Sequence, residues 1–530
     1  VETAAPFVDA TAESGIDFVH VNGASPRRYL VETMGSGVAI FDYDGDGLPD
    51  VYFVNGAAVG ASVLPPGRLY RNLGGPGRRP VRFADVTERS GLDRGLFGMG
   101  AAVGDVDNDG DLDLFVSGVG GDLFFVNRGD GTFAEARAEV GLNDPGFGAS
   151  AAFVDVDRDG FLDLFAGRYV TWSPEDDVRC APDGEHPSYC TPEVYDGESN
   201  RLYRNLGGSR FADVTREAGL WAPDGKTLGV VPLDADGDGW PDLAVANDTT
   251  RNFLFLNRSD GRSGPAFEEA GVERGFAFGP SGSPRGSMGI DVADLTGDGL
   301  DDVVVGNFSQ EMSAVFRASE RGQFLDDAPR LGLGLPSLMT LAFGVLAVDF
   351  DGDGDDDVAL LNGHIEPEIE ALQPLQTYAQ LPALFRNLGG GRGLEPVAAA
   401  GVLAEPLVGR GLAAGDLDGD GDLDLVATQN GRRALVSRNE SPSHAWLGVR
   451  PIGRRSNRTG YGLEIAVVLP GRTLHRSLVS GRSYLSASEP LLTVGLGSAD
   501  AVERLDVTWP SGVRQRIVQP PIGRRLVLFE

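Results

Sequence analysis

Three features of the sequence predict an all-β repeat protein. One nine-residue aspartate phrase occurs seven times, each copy lies between short β-type runs, and the chain opens on a strand of the kind that its last repeat lacks. Together they predict a seven-bladed β-propeller over residues 1–442, with one phrase in the loop between strands A and B of each blade. A small C-terminal β-domain is expected over residues 443–530.

The phrase is Asp-x-Asp-x-Asp-Gly-x-x-Asp, first met as Asp42, Asp44, Asp46, Gly47 and Asp50. It returns as Asp105, Asp107, Asp109 and Asp113, then as Asp155, Asp157, Asp159 and Asp163. Further copies are Asp234, Asp236, Asp238 and Asp242; Asp349, Asp351, Asp353 and Asp357; and Asp416, Asp418, Asp420 and Asp424. The copy at Asp294, Asp298 and Asp302 carries Thr296 at its third position. Calcium, a hard cation, takes six to eight oxygens at about 2.3–2.6 Å, and a tight loop supplies them by turning alternate side chains inward. Positions 1, 3, 5 and 9 offer carboxylates and Gly at position 6 permits the turn. Position 7 gives only its carbonyl, so its side chain is free to vary, and it does: Leu48, Asp111, Phe161, Trp240, Leu300, Asp355 and Asp422. The phrase ends at its ninth residue between β-type runs, unlike the twelve-residue, helix-flanked EF-hand loop. About seven calcium sites are therefore expected, the one from Asp294 weakest because Thr296 brings a neutral oxygen. A single copy would read as a solvated Asp-Gly turn.

The formal charge of −33 argues against nucleic acid and anionic membrane surfaces as partners. The charge is uneven: residues 443–530 hold twelve Arg against six Asp or Glu, so a basic tail follows an acidic body and either docks on it or turns a basic face outward. Lys226 is the only lysine; the Arg, Gly and Ala bias reads as a GC-rich bacterial genome. Cys180 and Cys190, ten apart in a polar loop, suit a short-range disulfide of an exported protein, with two free thiols as the alternative. No signal peptide or membrane-spanning run is present, and because Val1 is not a start methionine, a leader removed earlier is expected. The expected location is secreted or periplasmic.

The repeat unit reads as four short strands. Strand A precedes the phrase and strand B follows it; strand C carries Arg-Asn, as in Leu69-Tyr70-Arg71-Asn72, and strand D opens on an aromatic, as in Phe83-Ala84-Asp85. Phe7-Val8-Asp9 is an orphan strand D, while the seventh unit stops at its strand C, Leu435–Asn439. Joining the two ends closes a ring and hides the sheet edges. Two units are interrupted between strands B and C, from Gly167 to Asn200 and from Gly363 to Pro382. The B–C and D–A connections share the face opposite the phrases, so binding or chemistry is expected on that decorated face.

Strands B end there on Asn55, Arg168-Tyr169, Asn247-Asp248, Asn307, Asn362-Gly363-His364 and Gln429-Asn430. Near the start of strands A lie Met34, Met99, Phe147, Thr227, Met288, Phe343 and Arg410, all but Thr227 directly followed by Gly. Either the Met and Phe line a mouth for a partly apolar ligand with the polar groups above it, or the Asn residues end strands and the Met and Phe plug the channel.

The blades resemble FG-GAP/VCBS repeats, and the whole chain resembles the cartilage acidic protein family with its C-terminal ASPIC/UnbV domain. The tail carries Ser456-Asn457-Arg458-Thr459-Gly460, Gly481-Arg482-Ser483-Tyr484-Leu485-Ser486 and Val507-Thr508-Trp509-Pro510-Ser511-Gly512. The repeats match through Tyr189-Cys190-Thr191-Pro192, Ser287-Met288-Gly289 and Asn362-Gly363-His364. One departure is Gly460-Tyr461-Gly462-Leu463, where the family more often has Gly-Ile-Gly-Ala. The resemblance implies a secreted, calcium-rich propeller. It leaves activity open, since its animal members are matrix and receptor-interaction proteins and its bacterial ones occur in natural-product gene clusters.

Familiar catalytic phrases, Gly-x-Ser-x-Gly or His-Glu-x-x-His among them, are missing. Two function classes follow. The first is an exported calcium-binding propeller that holds a protein or small-molecule ligand on its decorated face. The second is a calcium-stabilised cyclase or isomerase of bacterial natural-product biosynthesis, with Asp248, Glu311 and His364 as acid–base candidates and Arg168 and Tyr169 as orienting donors. For His364, capping is weighed against catalysis.

Overall fold

The computed structural model describes residues 5–74, 81–181, 184, 187–208, 210–442 and 444–530; Ser443, where the second domain is expected to begin, lies outside them. Among the described residues, seven four-stranded antiparallel sheets lie between Phe7 and Asn439. Sheet one is Val38–Phe41, Asp50–Phe53, Arg68–Asn72 and Phe83–Asp85, and sheet two repeats it from Gly98–Gly104 to Phe133–Glu135. Sheets three, four, five and six begin on Gly148–Val154, Thr227–Leu233, Ser287–Ala293 and Ala342–Val348. Sheet seven takes Gly409–Gly415, Asp424–Gln429 and Leu435–Asn439, and is completed by Phe7–Asp9 in antiparallel register, Phe7 opposite Asn439 and Asp9 opposite Ser437. First strands of consecutive sheets touch in turn, and that of sheet seven touches that of sheet one. This is an all-β architecture of the β-propeller kind.

The first strands are buried along their whole length, so those of sheets two, three and six run almost without polar residues instead of alternating, while Asp291 and Arg410 interrupt those of sheets five and seven. A regular feature not read from the sequence follows five of the fourth strands, a single helical turn such as Thr87–Ser90. Each such turn ends on a left-handed glycine. At Gly91 a Cβ would come within 2.8 Å of the Phe133 carbonyl, which supports glycine twice over.

Residues 444–530 form a three-stranded sheet, in which Trp446–Ile452 lies between Leu492–Gly495 and Arg524–Phe529, and a four-stranded sheet from Leu463–Leu469, Arg472–Leu478, Arg504–Thr508 and Arg514–Val518. This unit is not a loose appendage. Its Leu447, Ile465, Leu505 and Trp509 share one buried cluster with Ala102, Phe115, Phe153 and Leu164 of sheets two and three. Its arginines meet the acidic loops, as the charge distribution suggested: Arg525 lies 3.1 Å from Asp416, Arg476 3.1 Å from Asp356, Arg450 3.7 Å from Asp42 and Arg458 3.8 Å from Asp105.

Candidate metal loops and the loop-bearing face

All seven aspartate phrases lie in the turn between the first and second strands of their sheets and fold alike. The first aspartate accepts the amide of the glycine at position 6, from 2.8 Å at Asp234 to 3.2 Å at Asp416. The fifth accepts the amide of position 7, as in Asp46 from Leu48 at 3.0 Å. The residues at positions 4 and 6 are left-handed in every copy, and position 4 includes the non-glycines Asn108 and Arg158. The demand at position 4 is a requirement the sequence reading missed; glycine in five of the seven copies was its signal.

The ninth aspartate has a second role. In each sheet its Oδ1 accepts the backbone amide at the third strand's end, as in Asn72 N to Asp50 at 2.7 Å. In six loops its Oδ2 accepts the amide of position 2, as in Tyr43 N to Asp50 at 3.1 Å. In the fifth loop the donor is Thr296 at position 3 instead. These carboxylates are almost fully buried, and burial raises them, Asp50 and Asp242 to about 8 and Asp302 to about 7.

The Arg-Asn signature of the third strand also finds its reason here. Arg71 reaches Asp44 at 2.6 Å and Asp46 at 2.8 Å, and Arg204 repeats the contact with Asp157; in sheet four, which lacks the Arg-Asn pair, Arg258 just after Asn257 reaches Asp236 instead. The asparagine side chain donates to the position 8 carbonyl of its own loop and the position 2 carbonyl of the preceding one, as Asn127 does to Leu112 and Tyr43.

The loops gather the donors that a hard cation requires. Carboxylate oxygens of Asp42, Asp44 and Asp50 lie within 4.8 Å of one another, as do those of Asp105, Asp107 and Asp113, of Asp155, Asp157 and Asp163, of Asp234, Asp236 and Asp242, and of Asp349, Asp351 and Asp353. Asp42 Oδ1, Asp44 Oδ1, Asp157 Oδ1 and Asp236 Oδ1 are buried without a hydrogen-bond partner. An all-oxygen, strongly anionic set with orphaned oxygens fits calcium better than a softer metal.

On the opposite face the two insertions meet. Ser188 Oγ and Tyr189 N of the first donate to Glu366 of the second at 2.7 and 3.1 Å. Arg28 pairs with the same Glu366, and Tyr189 Oη donates to buried Glu32 at 2.9 Å. The Cys180–Cys190 disulfide staples the first insertion. Beneath these loops Met34, Met99, Phe147, Met288 and Phe343 form one buried cluster with Tyr484 and Leu485 of the C-terminal unit. These five mouth residues are therefore part of a filled core, to which the tail contributes Tyr484 and Leu485. An open cleft of about 550 Å³ lies to one side, walled by Leu64, Phe97, Phe147 and Trp172, with Glu198 at its edge.

The five acid–base candidates are placed unequally. Tyr169 Oη donates to Asp248 Oδ2 at 2.7 Å, and burial raises Asp248 to about 7, with Glu311 adding to the rise. Glu311 accepts the Gly286 amide at 2.7 Å. His364 accepts the Glu366 amide on Nδ1 at 3.0 Å, stands edge-on to Phe308, and is lowered to about 4 by burial and by Arg410. Arg168 is fully buried and held elsewhere, by Asp122 at 2.7 Å and Asp144 at 3.0 Å. Asp248, Tyr169 and Glu311 thus form one group, while Arg168 belongs to another.

Comparison with known families agrees with this anatomy. The ASPIC and UnbV family matches residues 453–530, and the FG-GAP-like repeat matches 42–116, 105–166, 234–305 and 294–360. The chain carries FG-GAP-like repeats followed by an ASPIC/UnbV domain. The FG-GAP-like matches start on first aspartates of the phrase, and the ASPIC/UnbV match spans nearly all of the C-terminal unit. Over 327 residues the chain is 28% identical to cartilage acidic protein 1 of Homo sapiens and of Mus musculus, covering 60% of this chain. It spans 45% and 46% of those relatives, under half their length. Among solved structures, an Agrocybe aegerita lectin specific for non-reducing terminal N-acetylglucosamine is 18% identical with a TM-score of 0.41, covering 76% of this chain and 91% of that one. BBS1N, solved in complex with ARL6DN, is 10% identical with a TM-score of 0.45, covering 83% and 99%.

Proposed function

We propose that this chain is an exported calcium-binding β-propeller of seven blades that holds a partner or ligand on the face opposite its calcium loops. The observation that carries the metal reading is the set of buried, unpartnered oxygens on Asp42, Asp44, Asp157 and Asp236, each inside a cluster of carboxylates. Leaving such oxygens desolvated and unpaired is costly unless a cation meets them. Asp, or Thr296, at positions 1, 3, 5 and 9 and the carbonyl at position 7 are the ligands in this reading. The ring of seven is supported by the cyclic order of first-strand contacts and by the pairing of Phe7–Asp9 with Ser437–Asn439.

Export is supported by the disulfide and by the likeness to cartilage acidic protein 1. No helix among the described residues is long and apolar enough to cross a membrane. The ligand is assigned to the aromatic cleft beside Trp172, whose size suits a small ligand. Catalysis at Asp248 is the weaker reading, because the mouth around it is packed with Met and Phe side chains.

The test is metal content. Protein stripped with chelator, reloaded with calcium and desalted should retain several calcium ions per chain by plasma emission spectrometry. Retention of none would remove the proposal.

A further inference from the structure

The interior wall of the sheet array is occupied by the chain's own Ser480–Glu489, and the contacts are those of a seated peptide. Ser483 N donates to Ile290 O at 2.8 Å in sheet five, Leu485 O accepts from Ala101 N at 3.0 Å in sheet two, and Ala487 exchanges two bonds with sheet one, with Val38 O and Ile40 N, both at 2.9 Å. We propose that this wall is a recognition surface for an Arg-Ser-Tyr-Leu segment, supplied in cis by the C-terminal unit, and that seating the segment holds the array closed.

Main-chain bonds give such a site affinity and side-chain pockets give it specificity. Arg482 fills the first pocket, where it meets Asp291 through Nε and Nη2 at 2.7 and 2.8 Å and the Ala347 carbonyl at 2.6 Å. Asp291 is fully buried on the first strand of sheet five and also accepts the Ala347 amide of sheet six at 2.7 Å. One ion pair therefore ties two sheets to the segment, and a carboxylate buried there needs that arginine. Tyr484 fills the second pocket, fully buried against Phe343 at 4.8 Å, with its hydroxyl donating to Met34 O at 2.9 Å.

The wall is cut to fit. A Cβ at Gly37 would come within 1.9 Å of Leu485 O, one at Gly100 within 3.1 Å of Leu485 Cα, and one at Gly411 within 2.6 Å of Ser486 Oγ. Gly100 and Gly411 belong to the Met-Gly and Arg-Gly pairs that recur at the first strands. Their lack of a side chain makes room for the tail. Ser483 and Leu485 are held left-handed, at φ of 69° and 55°, a conformation that L-residues with a Cβ adopt only when their surroundings impose it.

A protease recognition site placed between Ser441 and His444 of the full chain tests this. After cutting, the two pieces should co-elute on gel filtration, and should do so at about 1 M salt, where a Debye length of about 3 Å screens the ion pairs on the aspartate-loop face. In the cut protein Arg482→Ala and Tyr484→Ala should each shorten the lifetime of the complex about tenfold or more. Tyr484→Phe, which keeps the ring and loses the bond to Met34 O, should shorten it less than Tyr484→Ala, and Arg472→Ala should leave it near wild type. Gly100→Ala, which alters the wall and leaves the segment untouched, should shorten it as well, and covers the case in which a segment variant fails to fold. Separation of the wild-type pieces on cutting, or equal lifetimes in all variants, would overturn the proposal. Running the series with calcium and with chelator keeps its outcome distinct from that of the metal reading.

Discussion

Asn72, at the end of the third strand of sheet one, donates its side-chain amide to the Leu417 carbonyl of sheet seven at 2.9 Å and to Pro49 O of its own loop at 3.1 Å. The same clasp joins five further neighbouring pairs of sheets, through Asn127, Asn205, Asn257, Asn387 and Asn439. Sheet five has Ala318 at this position, so the junction between sheets four and five lacks the clasp. Asn72→Ala leaves two buried carbonyls unmet, and a loss of about 2–4 kcal/mol is expected. Urea unfolding followed by circular dichroism measures it; an unchanged midpoint contradicts the clasp.

The double duty of the ninth aspartate separates two classes of variant. Asp50→Asn disturbs the acceptor of two backbone amides, those of Asn72 and Tyr43, as well as a metal ligand, so it should destabilise the protein both in calcium and in chelator. Asp44→Asn removes a ligand without touching those amides. Its penalty should be larger in calcium than in chelator, where only the pair with Arg71 is lost, read as the difference between the two melting temperatures.

Removing calcium should lower the melting temperature sharply, because ligand bound only by the folded state stabilises it by mass action. Within loop two, Asp109→Ala should weaken calcium binding far more than Asp111→Ala, whose side chain lies outside the ligand set. Isothermal titration compares them, and equal losses would contradict the assignment of positions.

Asp248 should make stability depend on pH. Its folded value of about 7 stands above an unfolded value of about 3.9, burial being the main cause, with Glu311 and Glu193 raising it and Tyr169 and Lys226 lowering it. Between those values the folded state binds more protons than the unfolded one, so this group's contribution is full below about pH 4 and falls away as pH rises through 7. Asp248→Asn lacks that slope. Its stability relative to wild type should rise from pH 4.5 to pH 8, by at most about 1.4 kcal/mol per unit crossed; a parallel pair of curves would count against it.

Reduction of Cys180–Cys190 should act locally. The bridge closes a ten-residue separation in an insertion that is otherwise held through Ser188 and Tyr189 on Glu366. Reduced protein should be cut faster by protease within residues 167–200, while the main melting transition moves little.

What the sequence decided by itself was local. The acidic groups of each aspartate loop lie within nine residues, so its turn and its carboxylates were readable from Asp42 to Asp50, and the β-type runs on either side marked the strands. Repetition then exposed the four-strand unit, and the orphan strand at Phe7 indicated its pairing with Asn439. The tertiary structure alone decided what fills the centre and what holds the sheets to one another. Arg482 and Asp291 are 191 residues apart, and neither carries a mark of the other beyond one acid in an apolar strand. Met34, Met288 and Phe343 read as the lining of a mouth or as its plug, because apolar side chains are non-directional and do not name their partner. Tyr484 settled the matter by arriving from the tail, since burial is a property of the assembled molecule and not of the segment that supplies the side chain.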